Sequence, residues 1–355
     1  MELPQLNIPE GQQSLSHCFG CGEANPIGLH LRPHYDGEEV TATFTPDEDH
    51  QGWHKVMHGG IVYSILDETT AYTVLCSGYS FGVTAKSTIR FRQMAPTDVR
   101  LIARARALKV TPRLIQTHGQ LELDDGSIVA EVESLFVPGE RCRRAFLWDM
   151  DGVIVDSAAP HYQSWREAFA RRGADFTEEK FRFFFGTRDD YIIERVLGHT
   201  PASEVHAITE EKEERYRELI RDGVRPFPGV LPLLRAMKKN GFRVALGTSA
   251  PMANFDAVAS QLGLNDYFDA VVCGADVRQS KPNPEIYLRA AERLGASPED
   301  CVVFEDSPHG VEAAKRGGMK CVAVTNSHEP RALIAADRVV DSMEEMDLVQ
   351  LIRWI

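Results

Sequence analysis

Trp148-Asp149-Met150-Asp151-Gly152-Val153 decides how the second half of this chain is read. The apolar lead-in Ala145-Phe146-Leu147 has the pattern of a buried strand. Two carboxylates then stand two residues apart at its carboxyl end, and Gly152 permits a sharp turn. In α/β folds that edge of the sheet receives ligands. Roughly 140 residues precede the motif, so the chain needs a second structural unit.

Working outward, Pro138-Gly139-Glu140-Arg141-Cys142-Arg143-Arg144 is polar and carries a turn signal, which sets the domain boundary there. Beyond it strands are expected at 145–149, 242–248, 270–273, 301–305 and 320–325, with helices between most of them. This alternation implies a parallel, doubly wound α/β sheet. A charged helical insertion at 160–225 interrupts it and ends at Arg225-Pro226-Phe227-Pro228-Gly229. Ahead of the boundary the order differs: a strand at 39–44, a helix from about Gly59 to Cys76, then strand-like runs at 82–93, 98–109, 113–123 and 127–137. One helix followed by consecutive strands implies an antiparallel sheet in an α+β unit. The expected division is 1–140 for the first domain, 141–144 for a linker and 145–355 for the second. Within the second domain the core spans 145–159 and 228–355, and the helical cap 160–227.

The net charge of −13 argues against a nucleic-acid surface. No apolar run reaches membrane-spanning length, so no membrane partner is expected. The N-terminus lacks the basic-then-apolar order of a secretory signal. Seven scattered cysteines fit a reducing cytoplasm better than a disulfide framework.

Four strand ends or loops of the second half carry polar residues: Asp149 with Asp151, Thr248 with Ser249, Lys281, and Glu305 with Asp306. Carboxylates from two strands suit a hard cation with oxygen ligands, magnesium best. Asp149 is then placed to attack phosphorus and form an aspartyl-phosphate, with Asp151 handling the leaving-group proton. The Thr248 hydroxyl and Lys281 ammonium suit the phosphoryl oxygens.

In the first half, Met57-His58-Gly59-Gly60-Ile61 opens the helix, and the glycines leave backbone N–H groups for an oxyanion. Asp67 lies two turns on from Gly60, in an otherwise apolar run. Cys18-Phe19-Gly20-Cys21 with His17, His30 and His34 invites a zinc reading, but the spacing departs from common fingers.

DMDGVIVDS, the TSA at 248–250, SKPNPEIY and FEDSPHGVEAAKRGG together resemble the motifs of the haloacid dehalogenase superfamily, most of all its β-phosphoglucomutase-like branch. The resemblance implies a Rossmann-like core with a helical cap. It also implies a magnesium ion held by Asp149, the backbone carbonyl of Asp151, and Asp306, with Glu305 nearby. His161 matches a histidine that positions the proton-transfer carboxylate, and Arg188 a cap arginine for a distal phosphate. Phe185 stands where mutases of the branch carry a lysine, which favours a phosphatase of small phosphorylated metabolites over a phosphosugar mutase.

HCFGCGEANPIGLHL at 17–31, HGGIVYSILDETTAY at 58–72 and GVTAKSTIRFRQMAP resemble hotdog-fold acyl-CoA thioesterases of the phenylacetyl-CoA type. The CxxC pattern recurs in such relatives as a loop ending in NPxGL. The resemblance implies that the Gly60 amide polarises the thioester, that Asp67 is nucleophile or base, and that Thr84 helps place the water. His58 and Gly59 would shape the substrate-binding turn. Glu68 competes with Asp67 for the carboxylate role. A homodimer or higher homo-oligomer through the hotdog domain is implied, with acyl-CoA as substrate. Two arrangements stay open: two enzymes in one chain, or a mutase whose hotdog domain binds acyl groups or dimerises without catalysis.

Overall fold

The computed structural model describes residues 17–187 and 189–354. Arg188 lies outside the described residues. The chain divides into two compact units. One comprises Met1–Cys142, Lys239–Gly241 and Asp347–Trp354; the other comprises Arg143–Lys238 and Phe242–Met346.

In the first unit the strands are β1 (His34–Tyr35), β2 (Val40–Phe44), the β3 (Gln51–Trp53) and β4 (Val56–Met57) hairpin, β5 (Gly82–Phe91), β6 (Leu101–Val110), β7 (Ile115–Leu123) and β8 (Ile128–Pro138). Six of them form a sheet in the order β1-β2-β6-β7-β8-β5, with antiparallel neighbours throughout. The helix α1 (Gly59–Cys76) packs Val62, Ile65 and Leu66 on Leu101, Ala103, Leu121 and Val132 of the sheet. Alternation along β7 buries Ile115, Thr117, Gly119 and Leu121 on the helix side. This is the wrapped-helix α+β architecture that the sequence implies.

The second unit has strands β9 (Ala145–Trp148), β10 (Arg243–Gly247), β11 (Ala270–Val272), β12 (Cys301–Glu305), β13 (Lys320–Val324) and β14 (Arg338–Val340). They form a fully parallel sheet, ordered β11-β10-β9-β12-β13-β14. The cap carries α2 (Ala158–Ala170), α3 (Glu178–Phe184), α4 (Asp189–Leu197) and α5 (Ala202–Leu219). Around the sheet run α6 (Val230–Lys239), α7 (Met252–Leu262), α8 (Glu285–Leu294) and α9 (Pro308–Arg316). Phe146, Leu147 and Trp148 of β9 are fully buried, each worth roughly 1.5–3 kcal/mol of transfer free energy. With β10 on one side and β12 on the other, β9 lies at the reversal of strand order, so its carboxyl end opens a crevice.

The last helix, α10 (Leu348–Trp354), departs from the expected division at 145–355. It packs with α1 and β1 of the first unit, and Leu348, Val349, Leu351 and Ile352 are buried. Asp347 caps this arrangement, its Oδ2 lying 2.6 Å from His34 Nδ1. Short amphipathic segments bury an apolar side wherever one is offered, and sequence order does not dictate where.

Candidate functional site

Asp149 follows β9 directly, and its backbone N–H donates to Phe304 O of β12 at 3.0 Å. The chain then turns at Gly152, where φ is +82°. A Cβ there would lie 1.8 Å from Asp306 Oδ2, so only glycine lets these two strand ends meet. Asp149, Thr248, Lys281, Glu305 and Asp306 are all buried.

Lys281 lies between two carboxylates, with Nζ 2.9 Å from Asp149 Oδ1 and 2.7 Å from Glu305 Oε1. Glu305 is otherwise engaged as well. It accepts from Tyr287 Oη at 2.6 Å, the Asp306 N–H at 2.9 Å, and the Ser307 N–H and hydroxyl at 3.1 Å. Its geometry is that of a support for Lys281 and the turn into α9, although its carboxylate also groups with Asp149 and Asp306 as a potential metal-ligand set. Asp306 differs, because its buried Oδ2 has no hydrogen-bond partner. Burial pushes the Asp306 carboxyl well above the carboxylate range, reinforced by the charges of Glu305 and Asp149. Burial raises Asp149 to about 7, with Lys281 opposing and Glu305 reinforcing the rise.

Asp151 occupies a different setting. Its Oδ1 accepts from Ser157 Oγ at 2.6 Å and lies 3.1 Å from His161 Nε2 on α2. His161 stacks on Tyr216 of α5, the ring centroids 3.9 Å apart. Burial alone would raise Asp151, but His161, Ser157 and Lys212 together hold it below the usual range. Two acids two residues apart are thus pushed in opposite directions by their surroundings, Asp149 upward and Asp151 downward.

These groups open on a cavity of about 390 Å³ beneath the cap. Thr248 and Ser249 reach it from the end of β10, and Phe184 and Phe185 wall it from the cap. Of the aromatic run 181–185, Phe181 is buried in the cap core, whereas Phe183 is 75% exposed. Phe185 supplies no ammonium, but Lys212 on α5 lines the same cavity. Lys212 is buried, 2.7 Å from Glu213 Oε1 and 4.0 Å from Asp189 Oδ1. Sequence reading missed it because a lysine in Thr209-Glu210-Glu211-Lys212-Glu213-Glu214 looks like part of a solvated face.

In the first unit, α1 presents Asp67 and Glu68 to different surroundings. Asp67 Oδ1 accepts from Thr84 Oγ1 of β5 at 2.9 Å and from Tyr63 Oη at 3.3 Å. Thr84 sits beside an irregularity in the β5–β8 register, which aims it at the helix. Tyr63, one turn before Asp67, went unnoticed in the sequence because an aromatic at that spacing reads as core. Glu68 instead meets Cys18 and Cys21, and burial raises it to about 7. A hydrogen bond with Cys21 lowers the Cys18 thiol to about 5. The Gly60 N–H donates to His58 Nδ1 at 3.0 Å. His58 is therefore the N-cap of α1, and its ring occupies the Gly60 amide.

The comparisons agree with this geometry. Residues 143–318 match the family model of haloacid dehalogenase-like hydrolases, and residues 54–130 that of the thioesterase superfamily. The chain is 36% identical over 181 residues to the fructose-1-phosphate phosphatase YqaB of Escherichia coli (strain K12), spanning 50% of this chain and 94% of that protein. It is 34% identical over 202 residues to a phosphorylated carbohydrates phosphatase of Thermotoga maritima, spanning 55% of this chain and 92% of the relative. Among solved structures, a β-phosphoglucomutase from Clostridium difficile superposes with a TM-score of 0.54 at 28% identity, covering 59% of this chain and 95% of that one. Fold, buried acidic cluster and sequence likeness agree: this chain belongs to the haloacid dehalogenase-like hydrolases and carries a thioesterase-superfamily domain ahead of its hydrolase domain.

Proposed function

We propose that the second unit is a magnesium-dependent phosphatase of small phosphorylated carbohydrates, and that the first hydrolyses acyl-CoA thioesters. The observation that carries the phosphatase reading is the buried pairing of Asp149 with Lys281 at 2.9 Å beside the orphaned Asp306 Oδ2, open to the cavity. An unpartnered buried carboxylate oxygen fits a divalent cation. Asp149 and Asp306 would hold magnesium by their carboxylates and Asp151 by its backbone carbonyl. When bound, the cation offsets the repulsion between the Asp149 carboxylate and a phosphoryl dianion. Asp149 Oδ attacks phosphorus while the bond to the leaving oxygen breaks, and Asp151 supplies that oxygen's proton. Water then attacks the aspartyl-phosphate, Asp151 takes its proton, and phosphate and free Asp149 result. Lys281, Thr248 and Ser249 hold the non-bridging oxygens throughout.

Thermal unfolding checks the metal assignment. Saturating Mg²⁺ stabilises the wild type by about 2.7 kcal/mol at a hundredfold excess over Kd. Asp306→Asn raises the metal-free melting temperature and abolishes the Mg²⁺ increment. The sign follows from burial: a raised folded pKa costs stability as pH climbs past the unfolded value near 4, and the amide removes that cost. An undiminished Mg²⁺ increment in the variant defeats the assignment.

On the cap side, Lys212 lines the cavity beside Asp189 and Glu213. The likeness to phosphatases of fructose 1-phosphate and of phosphorylated carbohydrates supports a sugar phosphate as substrate. Lys212 is also what favours a second reading, the mutase, since it returns an ammonium to the cap. With a sugar monophosphate plus catalytic glucose 1,6-bisphosphate, phosphate release should outrun isomerisation at least tenfold; faster isomerisation establishes the mutase.

For the first unit, the Thr84–Asp67–Tyr63 constellation on a half-buried carboxylate supports general-base or nucleophilic attack on a thioester. Asp67→Ala should lower acyl-CoA hydrolysis by about 10²–10⁴-fold and leave phosphate release intact. Absence of acyl-CoA hydrolysis by the wild type across a broad panel refutes this half of the proposal. β5 ends the first sheet as a ten-residue edge strand, which supports pairing with a second copy.

A further inference from the structure

The loop at 17–31 and the helix α1 bring together three side chains that the thioester reading leaves unused. Cys18 Sγ lies 3.4 and 3.6 Å from the two carboxylate oxygens of Glu68. One donor atom each from Cys18, Cys21 and Glu68 falls within 4.8 Å of the others. Cys21 is fully buried and Cys18 half-buried, so the cluster has one sealed and one accessible side. Gly20 closes the arrangement: a Cβ there would sit 2.5 Å from the Glu68 carboxyl group. The turn is thus shaped to bring two sulfurs down on that carboxylate with no side chain in between.

We propose that Cys18, Cys21 and Glu68 form a zinc site that pins the N-terminal loop to α1, with the fourth position open to solvent on the Cys18 side. Two thiolates and one carboxylate select a borderline-soft divalent ion over magnesium or calcium. Ideal Zn–S and Zn–O bonds of ~2.3 and ~2.1 Å place sulfur and oxygen about 3.6 Å apart in a tetrahedron. The observed Cys18–Glu68 separations are of that size. Among the described residues no histidine joins this group: His34 is engaged with Asp347, and the third donor comes from a helix 47 residues beyond Cys21. A ligand contributed by Glu68 also leaves Asp67 as the carboxylate available at the thioester site. The zinc site itself stands or falls independently of that activity.

The test uses the full chain, stripped with chelator, held in excess Mg²⁺ and given one equivalent of Zn²⁺ before desalting. The wild type is expected to retain about one zinc per chain, and the Cys18→Ser/Cys21→Ser variant less than a tenth of that. Glu68→Gln should weaken retention tenfold or more. Far-UV circular dichroism and a cooperative thermal transition for the unit that carries these residues report that the variants are folded. Co²⁺ in place of Zn²⁺ should give thiolate-to-cobalt charge-transfer absorption in the wild type, a readout that needs no variant. Equal zinc retention by wild type and the double variant overturns the proposal. So does a wild-type cobalt spectrum without thiolate bands, or a Cys18–Cys21 disulfide in freshly purified protein.

Discussion

Asp149→Asn will lower phosphate release by on the order of 10⁴-fold or more, with the chain still folded and acyl-CoA hydrolysis unchanged. The size follows from the role. An amide oxygen at this position is too weak a nucleophile to form the acyl-phosphate, and no neighbour replaces it. Asp151 is turned into Ser157 and His161, and Glu305 is committed to Lys281 and Tyr287. The fold survives because asparagine has the same shape and one oxygen to accept from Lys281. Burial raises Asp149 to about 7, so the wild-type carboxylate costs folding free energy as pH rises from near 4 towards 7. The amide carries no such cost, and the metal-free variant should melt no lower than the wild type at pH 7. Single-turnover assays with a phosphorylated sugar, run beside differential scanning calorimetry, provide both readouts. Phosphate release within tenfold of wild type removes Asp149 from the nucleophile's role.

What the sequence revealed and what it hid divide along physical lines. The strand ends at Asp149, Thr248 and Glu305 were legible because a parallel sheet buries its strands on both faces, leaving an unbroken apolar run that stops at the polar site. The α1 start at Gly59 was legible from its paired glycines and the mostly apolar run Ile61–Leu66 that follows. Lys212 and Tyr216 were hidden, because their helix is charged on most faces and only the fold shows that Lys212 faces the cavity and Tyr216 the His161 ring. Glu68 was weighed against Asp67 as a rival catalytic acid. Adjacent residues on a helix point about 100° apart, and only the structure shows that one faces Thr84 and the other two cysteines. The capping of Gly60 by His58 was likewise invisible, since a histidine before two glycines reads equally as a turn or a ligand group. Helix α10 escaped because a seven-residue run at a chain end gives too short a period to read.

Lys281→Met should be the most destabilising single change in the phosphatase unit, costing about 3–5 kcal/mol at neutral pH as well as most of the activity. Lys281 stands buried between Asp149 at 2.9 Å and Glu305 at 2.7 Å. Removing it leaves two carboxylates in a low-dielectric pocket with no ammonium, and methionine fills the volume without supplying charge. For a unit of this size the loss corresponds to a fall in Tm of roughly 10 °C. The pH dependence identifies the cause. Burial alone would raise Glu305, but Lys281 and Tyr287 hold its carboxyl below the usual range. The wild-type contribution from Glu305 is therefore present above its unfolded pKa near 4 and lost as pH falls through the lower folded value. Without Lys281 both carboxyls rise and take up protons, so the deficit of the variant should shrink as pH falls from about 7 towards 5. Lys281 itself is raised above the ordinary lysine range, chiefly by Asp149 and Glu305 against the opposing effect of burial. Its contribution stays constant over that interval, so any change there comes from the carboxyls. Adding Glu305→Gln to Lys281→Met should restore part of the lost stability, giving a double variant less destabilised than the sum of the two. Chemical denaturation at several pH values measures all three. A deficit that does not vary with pH, or strict additivity in the double variant, would show that Lys281 packs at this site without compensating charge.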